Sequence, residues 1–482
     1  MSYLAFDLGG SGGKLFLGHF SGGRLTIEEV HRFKNKPVDI NGGLYWDIIN
    51  IYDELVTGIN KAAERAGDKI ISLGIDSFCN DFALVSKTGE LLSPVRCYRD
   101  SRTELHKGYI YGIMSPRALY MKNGNQIAPF NALMELGAMI AAGQKYMLDG
   151  AFRLLFVPDL LANFLTGEFH MEYTLASVSQ MFSYETGQMD GELLDTFGIP
   201  RHLFAPVTQP GAYAGHIKDG LAKQNGISVC TVCGHDTASA FLAAQPGSLI
   251  MSSGTWSLMG YEAASPNICS FGFEKNIANE GGPKGHHRIL KNVMGSWLMQ
   301  CVRAEFEAEG VDASFETVAE AVSSAEPFRH FIDVDDMRFY APRSMRRAID
   351  ESTNERYGSH PKDLGGYIRC IAESLAMKYR IVADDLEELR GSAFDTLNII
   401  GGGCNDAFLC GLTACATGKR VLAGPAEATA IGNIIMQLIA DKKISSVEEG
   451  RCAALGGAVE YLPQDRELWD RQFARFRVET GC

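Results

Sequence analysis

A glycine-dense segment near the start of the chain, Asp7–Lys14, lies between two short apolar runs, residues 3–6 and Leu15–Leu17. Apolar runs this short, separated by residues that favour turns, predict two strands joined by a tight turn. A further predicted strand, Arg24–Val30, follows Ser21-Gly22-Gly23. The chain is therefore predicted to open as an antiparallel meander, which differs from the strand-to-helix unit that opens many nucleotide-binding folds.

A similar pattern recurs near the middle of the chain. Ser248–Met251 runs into the small residues Ser252–Thr255, and Trp256–Met259 resumes the apolar run. Recurrence of one supersecondary unit after about half the chain indicates a duplicated architecture. Hairpins with glycine and serine turns are common in unrelated folds, so coincidence is the alternative.

Segments with helical periodicity alternate with buried apolar runs along the rest of the chain. This alternation predicts an α/β fold with mixed sheets. Because 482 residues exceed one ordinary core, we expect two domains, 1–244 and 245–482, divided near residues 242–247. The predicted helices are 48–66, 131–148, 159–165, 363–389, 406–417 and 426–441, and the predicted buried strands are 70–75 and 397–400.

Charge and cysteine usage restrict the partners. The net charge of −13 leaves no basic surface for nucleic acid and would repel an anionic membrane, so small molecules are the predicted partners. The only C-x-x-C pair, Cys230 and Cys233, lacks the further ligands of a zinc site, and the cysteines are interpreted as buried thiols. With no leader pattern and no long apolar run, a cytoplasmic protein is predicted, as a monomer or a homodimer.

The first glycine turn suits a polyphosphate, because its backbone N–H groups lie beside Lys14. It is not a Walker loop, since Leu8 replaces the first glycine and Leu15 follows the lysine. Asp7, at the end of the first strand, is a candidate ligand for a hydrated Mg²⁺ ion. A plain structural turn is the alternative.

Two later apolar runs are also followed by segments of small residues. In Gly234-His235-Asp236, the aspartate is either the N-cap of a helix or a base that takes a proton from a substrate hydroxyl, and the two roles can coincide. Gly401–Gly403 lies between a strand and a helix, where it either lets a ligand approach the backbone or only makes a tight turn.

Taken in order, these segments resemble the FGGY carbohydrate kinases over nearly the whole chain. Asp7–Lys14 resembles the first phosphate loop of that family, Ser253-Gly254-Thr255 the second, and Gly401–Gly403 the adenosine loop. The resemblance implies an α/β, two-domain, actin-like (ribonuclease H-like) ATPase fold with an interdomain cleft. It also implies Mg²⁺ and ATP as cofactors and a small sugar as the other substrate.

Within this family, several stretches resemble the members that phosphorylate L-rhamnulose at O1. They include Tyr98–Thr103, Pro129–Asn131, Asn279–Gly282 and Lys291–Gln300. The resemblance implies that Asp236 is the base. The implied sugar contacts are Cys79, His235, Asp236, Thr237 and Asn292, and the implied ATP contacts are Gly10, Ser11, Gly12, Gly13, Lys14, Thr255, Gln300 and Gly402.

One segment departs from the pattern of those members. Where they usually read Asp-Thr-Trp-Gly-Val-Asp, this chain reads Asp76-Ser77-Phe78-Cys79-Asn80-Asp81. Cys79 in place of a glycine is expected to narrow the sugar pocket, and Asn80 to add a polar group beside it. The alternatives are therefore a kinase of L-fuculose, xylulose, ribulose or glycerol, and a non-catalytic actin-like protein that uses nucleotide as a switch.

Overall fold

The chain is represented by a computed structural model that describes residues 1–340, 342–454 and 456–482. Its strands are β1 (Ser2–Leu8), β2 (Gly12–Ser21), β3 (Arg24–Lys34), β4 (Val38–Ile40), β5 (Gly43–Tyr45), β6 (Ile70–Ser77), β7 (Phe82–Val85), β8 (Arg153–Phe156), β9 (Met171–Glu172), β10 (Phe182–Ser183), β11 (Gln188–Met189), β12 (Val207–Thr208), β13 (Ala212–His216), β14 (Ser228–Thr231), β15 (Leu249–Ser253), β16 (Trp256–Ala263), β17 (Ala278–Glu280), β18 (His287–Met294), β19 (Thr396–Ile400), β20 (Arg420–Ala423) and β21 (Val459–Tyr461).

The helices in chain order are α1 (Ile48–Arg65), α2 (Arg102–Ile113), α3 (Pro116–Asn123), α4 (Ala132–Ala141), α5 (Lys145–Gly150), α6 (Val157–Thr166), α7 (Tyr173–Ser177), α8 (Gly191–Phe197), α9 (Asp236–Phe241), α10 (Ser270–Glu274), α11 (Trp297–Ala308), α12 (Phe315–Ser324), α13 (Met345–Tyr357), α14 (Leu364–Arg390), α15 (Ala407–Thr417), α16 (Ala428–Ala440), α17 (Val447–Ala454) and α18 (Arg466–Thr480). Short 3₁₀ helices cover Arg201–Leu203, Met337–Phe339 and Gly402–Asn405.

The chain divides into two compact units. The first comprises Met1–Ala243, Glu262–Ile289 and Ala428–Leu455, and the second comprises Ala244–Tyr261, Leu290–Glu427 and Gly456–Cys482. Each unit is therefore assembled from segments that are distant in sequence.

The first unit is built on a mixed six-stranded sheet with the order β13-β14-β6-β1-β2-β3. The central strand β1 pairs antiparallel with β2 and parallel with β6, while β14 pairs parallel with β6. Nearly every side chain of β1 is buried, as expected for a strand with neighbours on both sides and layers on both faces. The meander and mixed sheet predicted from the sequence are confirmed.

Helix α16 covers one face of this sheet and fixes the position of α9. The side chain of Gln437 donates to the carbonyl of Leu4 at 2.8 Å and accepts from the Ser72 hydroxyl at 2.7 Å, tying α16 to β1 and β6. Gly432 lets α16 and α9 approach closely: a Cβ atom there would lie 1.8 Å from the carbonyl oxygen of Ser239. The absence of a side chain at one position thus determines how α9 sits on the sheet.

The second unit contains a sheet in which β16, β15, β19, β20 and β21 are consecutive neighbours. Helix α14 packs beside it and is joined to β16 by a hydrogen bond of 2.7 Å between the hydroxyls of Ser257 and Tyr379. Helix α14 begins where Asp363 accepts from the Gly366 N–H group and ends at Gly391 with a φ of 77°. This is the acidic N-cap and left-handed glycine that terminate many helices.

The two sheets share one pairing pattern, which confirms the duplication predicted from the recurring hairpins. In the first sheet, β13 and β14 are antiparallel, β14, β6 and β1 are parallel, and β1 and β2 are antiparallel. In the second sheet, β21 and β20 are antiparallel, β20, β19 and β15 are parallel, and β15 and β16 are antiparallel. The first glycine turn joins β1 to β2, and the second turn of small residues joins β15 to β16 at the corresponding place.

Several predicted helix boundaries differ from those observed. The helix predicted over 131–148 is two helices, α4 and α5, because Gly143 adopts a φ of 76° between them. The prediction of 426–441 starts too early, since α16 begins at Ala428, beyond Pro425. Asp236 is the first residue of α9 and His235 occupies the N-cap position, so the N-cap alternative for the aspartate is wrong.

None of the helices within the described ranges combines the length and the apolar character that crossing a bilayer requires.

Candidate active site

The first glycine turn is closed by its own backbone and by the residue that follows β3. The Gly9 N–H group donates to the carbonyl of Gly12 at 2.9 Å, and the carbonyl of Ser11 accepts from the Asn35 N–H group at 3.0 Å. At Gly10 a Cβ atom would lie 2.8 Å from the Tyr98 hydroxyl. The glycines therefore permit close packing, and they leave a short backbone turn of the kind that can surround an anion.

Three carboxylates gather around the ends of β1, β6 and the start of α9. Asp7 lies opposite Lys14 on β2 and opposite Asp76 on β6. Burial, together with the nearby charges of Asp7 and Asp236, raises the pKa of Asp76 well above its usual range. The side-chain amide of Asn433 donates to Asp76 at 2.5 Å and opposes that rise. Asp76 was not predicted as a site residue, although its place at the end of a buried strand was visible in the sequence.

The segment that carries Asp236 is held from outside by one buried carboxylate. Glu172 accepts from the backbone N–H groups of Gly234 at 3.1 Å, Leu175 at 3.1 Å and Thr174 at 2.9 Å. The Thr174 hydroxyl in turn accepts from the His235 N–H group at 3.1 Å. Burial raises the pKa of Glu172 to about 7, against the lowering effect of these hydrogen bonds.

Removing this anchor is expected to destabilise the chain. In Glu172→Ala the buried N–H groups of Gly234 and Leu175 would lose their acceptor, at a cost of about 1–3 kcal/mol each. The midpoint of thermal unfolding is the measurement. Glu185→Ala, at an exposed position, is the matched control and should leave the midpoint unchanged. Equal midpoints for the two variants would show that Glu172 does not anchor the segment.

Asp236 combines partial exposure with a raised pKa. Its side chain is 32% exposed, and Oδ1 accepts from the N–H group of Thr237 at 2.5 Å and from the Thr237 hydroxyl at 3.1 Å. Burial raises its pKa to about 6, while these hydrogen bonds and the Arg288 guanidinium limit the rise. This value exceeds the ordinary aspartate pKa expected from sequence, yet it leaves the carboxylate mostly ionised at neutral pH.

His235 and Thr237 flank Asp236 but are themselves buried. Burial, with a smaller effect from Arg288, lowers the pKa of His235 well below its usual range, so the imidazole is neutral. Its Nε2 atom lies 3.4 Å from Oδ1 of Asp236. The Thr237 hydroxyl is engaged with the same oxygen, so it orients the carboxylate whether or not it also contacts a substrate.

Cys79 lies near this group on the segment after β6. The side chain is partly exposed, and burial, followed by the charges of Glu280, Asp236 and Asp81, raises the pKa of its thiol well above the usual range. Asn80 lies beside this thiol, and its side-chain amide donates to the Cys79 Sγ atom at 3.3 Å. Asn80 is 2% exposed, and its Oδ1 accepts from the Ala132 N–H group at 3.0 Å because it satisfies the start of α4.

The predicted nucleotide residues of the second unit surround the β15–β16 turn. The Thr255 carbonyl accepts from the Trp297 N–H group at 3.3 Å, and the amide of Gln300 donates to the Ser296 hydroxyl at 3.0 Å. The Ser296 hydroxyl donates to the Gly254 carbonyl at 2.6 Å. Thr255 and Gln300 are thus joined through one short network.

The third glycine loop lies at the end of the neighbouring strand of the same sheet. Gly402 begins the 3₁₀ helix after β19, and a Cβ atom on Gly403 would lie 2.1 Å from the Ser253 hydroxyl. Asn292, predicted to contact the sugar, lies on β18 within the second unit and is partly buried.

Comparison with known proteins identifies the relatives of this chain. The N-terminal domain model of the FGGY family of carbohydrate kinases matches residues 2–243, and the C-terminal domain model matches residues 249–440. A protein of Bacteroides thetaiotaomicron named rhamnulokinase is 36% identical, with 99% of each chain covered. One of Bacillus subtilis with the same name is 35% identical over 94% of this chain and 93% of its own.

Solved structures show the same fold at low sequence identity. A gluconate kinase from Lactobacillus acidophilus superposes with a TM-score of 0.82 at 16% identity, covering 98% of this chain and 96% of its own. Glycerol kinase of Plasmodium falciparum, solved with ADP, gives 0.79 at 14% identity, covering 99% and 97%. The predicted actin-like, two-domain ATPase fold is confirmed.

The matching domain models cover most of the chain, and they confirm the resemblance drawn from its glycine turns and the Gly234-His235-Asp236 segment. The chain belongs to the FGGY family of carbohydrate kinases, phosphotransferases that act on a sugar hydroxyl with ATP as the donor.

Proposed function

We propose that this sugar kinase transfers the γ-phosphoryl group of ATP to O1 of L-rhamnulose, with Asp236 as the general base. The observation that carries the proposal is a partly exposed carboxylate with a pKa of about 6, in a chain whose full-length relatives are named rhamnulokinase. A base works best when its pKa lies a little below the working pH, because it is then ionised and still basic.

In the proposed mechanism, the residues around Asp236 hold and orient it. Thr237 fixes one carboxylate oxygen through two hydrogen bonds, which leaves the other oxygen for the acceptor hydroxyl. Because burial lowers the pKa of His235 well below its usual range, the ring stays neutral and has little affinity for the substrate proton, and it does not repel a cation. As phosphorus is attacked, Asp236 takes the proton of the sugar hydroxyl. We include Cys79, Thr237 and Asn292 among the proposed sugar contacts.

We propose that the nucleotide phosphates contact the turn residues Gly10–Lys14 and that Thr255, Gln300 and Gly402 hold the rest of ATP. Phosphoryl transfer passes through a loose transition state, so positioning and neutralisation of charge supply most of the catalysis. Backbone N–H groups and Lys14 serve that purpose. We also propose that the two domains are residues 1–244 and 245–482, in line with the ranges that the family models match.

The Asp7 carboxylate at the end of β1 fits a magnesium ion, since Mg²⁺ prefers one or two carboxylates with several waters. Asp7 is the proposed ligand, directly or through water. Bound Mg²⁺ would neutralise charge on the transferring phosphoryl group. Among the described residues, no group of three or more histidine, cysteine, aspartate or glutamate side chains is arranged to hold a metal alone, so the phosphates would complete the coordination.

The proposal is tested by measuring ADP formation with Mg²⁺ against L-rhamnulose, L-fuculose, xylulose, ribulose and glycerol. The expected result is sugar-dependent ADP release with the highest kcat/KM for L-rhamnulose. A higher value for another acceptor would reject the substrate while leaving the kinase chemistry. An ATPase rate that no sugar changes would favour the nucleotide-switch alternative. For a kinase of metabolites we expect a cytoplasmic location, as a monomer or a homodimer.

The departure at Cys79 gives a prediction on specificity. Cys79→Gly enlarges the proposed pocket by two heavy atoms, and pocket changes of this size alter discrimination by about 1–3 kcal/mol, or roughly 10–200-fold. The ratio of kcat/KM for L-rhamnulose and L-fuculose is the measurement. Cys370→Ala, a buried thiol on α14 in the second unit, is the control. An unchanged ratio in Cys79→Gly would remove Cys79 from the sugar site.

The raised pKa of Asp236 predicts the acid limb of the pH profile. Protonation of the base below pH about 6 removes the reactive form, so kcat/KM should fall about tenfold for each further pH unit. Activity that stays constant from pH 7 to about 4.5 would contradict a base with this pKa.

A further inference from the structure

Arg288 places a buried positive charge beside the proposed base, although nothing in the mechanism above uses it. It lies on β18, is 1% exposed, and is among the largest fully buried side chains of the described residues. A guanidinium ion taken out of water needs a compensating charge and hydrogen-bond acceptors nearby. The compensating charge and the acceptors come from the segment Asn279–Gly282. The sequence of this segment resembles the family but did not indicate what the segment does.

The contacts of Arg288 form a compact network in the first unit. Its Nε and Nη2 atoms donate to the carbonyl of Gly281 at 3.2 and 3.0 Å. Nη2 also lies 3.0 Å from Oε2 of Glu280 and 3.3 Å from Nδ1 of His235. One guanidinium therefore contacts a carboxylate, a carbonyl and the imidazole that neighbours Asp236.

These contacts favour one tautomer of His235. Nδ1 lies 3.3 Å from Nη2 of Arg288, which can only donate, and 3.5 Å from Oε2 of Glu280, which can only accept. The shorter arginine contact, together with the Asp236 carboxylate beside Nε2, favours an unprotonated Nδ1. The ring proton of the neutral imidazole then lies on Nε2, which is 3.4 Å from Oδ1 of Asp236. The position of the His235 ring proton next to the Asp236 carboxylate is thus influenced by Arg288, which contacts the other nitrogen of the ring.

Arg288 and Glu280 also shift the protonation equilibrium of Asp236 in opposite directions. The guanidinium stabilises the ionised carboxylate, whereas the carboxylate of Glu280 disfavours it. Other titratable groups in this region are Asp76 from β6, Cys79 from the segment after β6, and the neutral His235 beside Asp236. Asp7 on β1 lies opposite Asp76 and opposite Lys14 on β2. Arg288 is the cation whose charge lowers the pKa of Asp236.

We infer that Arg288 and Glu280 are positioning residues that fix the Nε2–H tautomer of His235 and set the pH range over which Asp236 is a base. The inference rests on the proposed role of Asp236. Neither residue needs to touch the sugar or the nucleotide. Arg288 holds the imidazole and lowers the proton affinity of the base, and Glu280 limits that effect while compensating the buried guanidinium.

The experiment compares pH profiles of kcat/KM for four variants. Glu280→Gln removes a negative charge and should move the acid limb to lower pH by about 0.5–1 unit. Arg288→Gln should move it to higher pH by a similar amount, and Arg288→Lys, which keeps the charge, should restore it to within about 0.3 unit of the parent. Glu274→Gln, at an exposed position on α10, is the control for a lost carboxylate. A residue with only a structural role would lower activity at every pH and leave the limb in place.

A second measurement does not depend on activity and remains decisive if Arg288→Gln does not fold. In ¹⁵N-histidine NMR spectra of the intact chain, assigned with His235→Asn, the His235 signals should show unprotonated Nδ1 and protonated Nε2 near neutral pH. Protonated Nδ1, or an acid limb unmoved in Glu280→Gln, would overturn the inference. A parent enzyme that forms no ADP with any sugar would instead reject the proposed function, and the NMR result would still decide the tautomer.

Discussion

Asp236→Asn is expected to lower kcat by about 10²–10⁴-fold, the usual contribution of a general base. The substitution keeps the size of the side chain, and the amide oxygen can still accept the two hydrogen bonds from Thr237. Because the amide cannot take the proton of a sugar hydroxyl, only the chemical step should be affected. The measurements are steady-state ADP formation and the affinity for ADP by calorimetry, where the affinity should stay nearly constant.

Asp190→Asn is the matched control for this variant. Asp190 also lies at the start of a helix of the first unit, where it accepts from the Leu193 N–H group at 3.1 Å. It is expected to retain parent kcat. Full activity in Asp236→Asn would exclude the base assignment, and a parallel loss of ADP affinity would mean that the variant disturbs nucleotide binding.

Gly432→Ala is expected to produce the largest loss of stability. The added Cβ atom would lie 1.8 Å from the backbone oxygen of Ser239, which no rotamer change can move away. Helices α16 and α9 must then separate, at a cost of about 3 kcal/mol or more, the upper range for overpacking. Since α9 carries Asp236, activity should fall with stability.

Thermal unfolding and ADP formation measure these two effects together. Gly108→Ala in α2 is the control, because a Cβ atom there meets nothing within 4 Å. Replacing an exposed helical glycine by alanine should stabilise the chain by about 0.5–1 kcal/mol. If Gly432→Ala keeps the parent midpoint, the close approach of the two helices does not determine the position of α9.

Features that depend on neighbouring residues were predictable from the sequence. The turn at Gly9–Gly13 follows from consecutive glycines between apolar runs, and its recurrence after Ser253 revealed the shared pairing of the two sheets. The start of α9 at Gly234-His235-Asp236 was visible for the same reason. Local chemistry decides these elements, so one sequence suffices.

Features that depend on distant contacts were not predictable. Glu172 lies 62 positions before Gly234, whose N–H group donates to its carboxylate, and Arg288 lies 53 positions after His235. Each residue taken alone is an ordinary charged side chain, and only the sheet brings it to its partner. The raised pKa of Asp236 was missed for the same reason, since burial, its largest cause, depends on residues distant in sequence, and the local hydrogen bonds from Thr237 only oppose the rise. The hydrogen bond from the Ala132 N–H group to Asn80 was likewise not predictable, because the two residues lie 52 positions apart.

A structure of the enzyme crystallised with L-rhamnulose and a non-hydrolysable ATP analogue would measure the distance between the Asp236 carboxylate and O1 of the sugar. We expect one carboxylate oxygen within about 2.6–3.2 Å of O1, the reach of a general base. A sugar bound with O1 against another side chain, and with Asp236 beyond hydrogen-bond distance of every hydroxyl, would contradict the account.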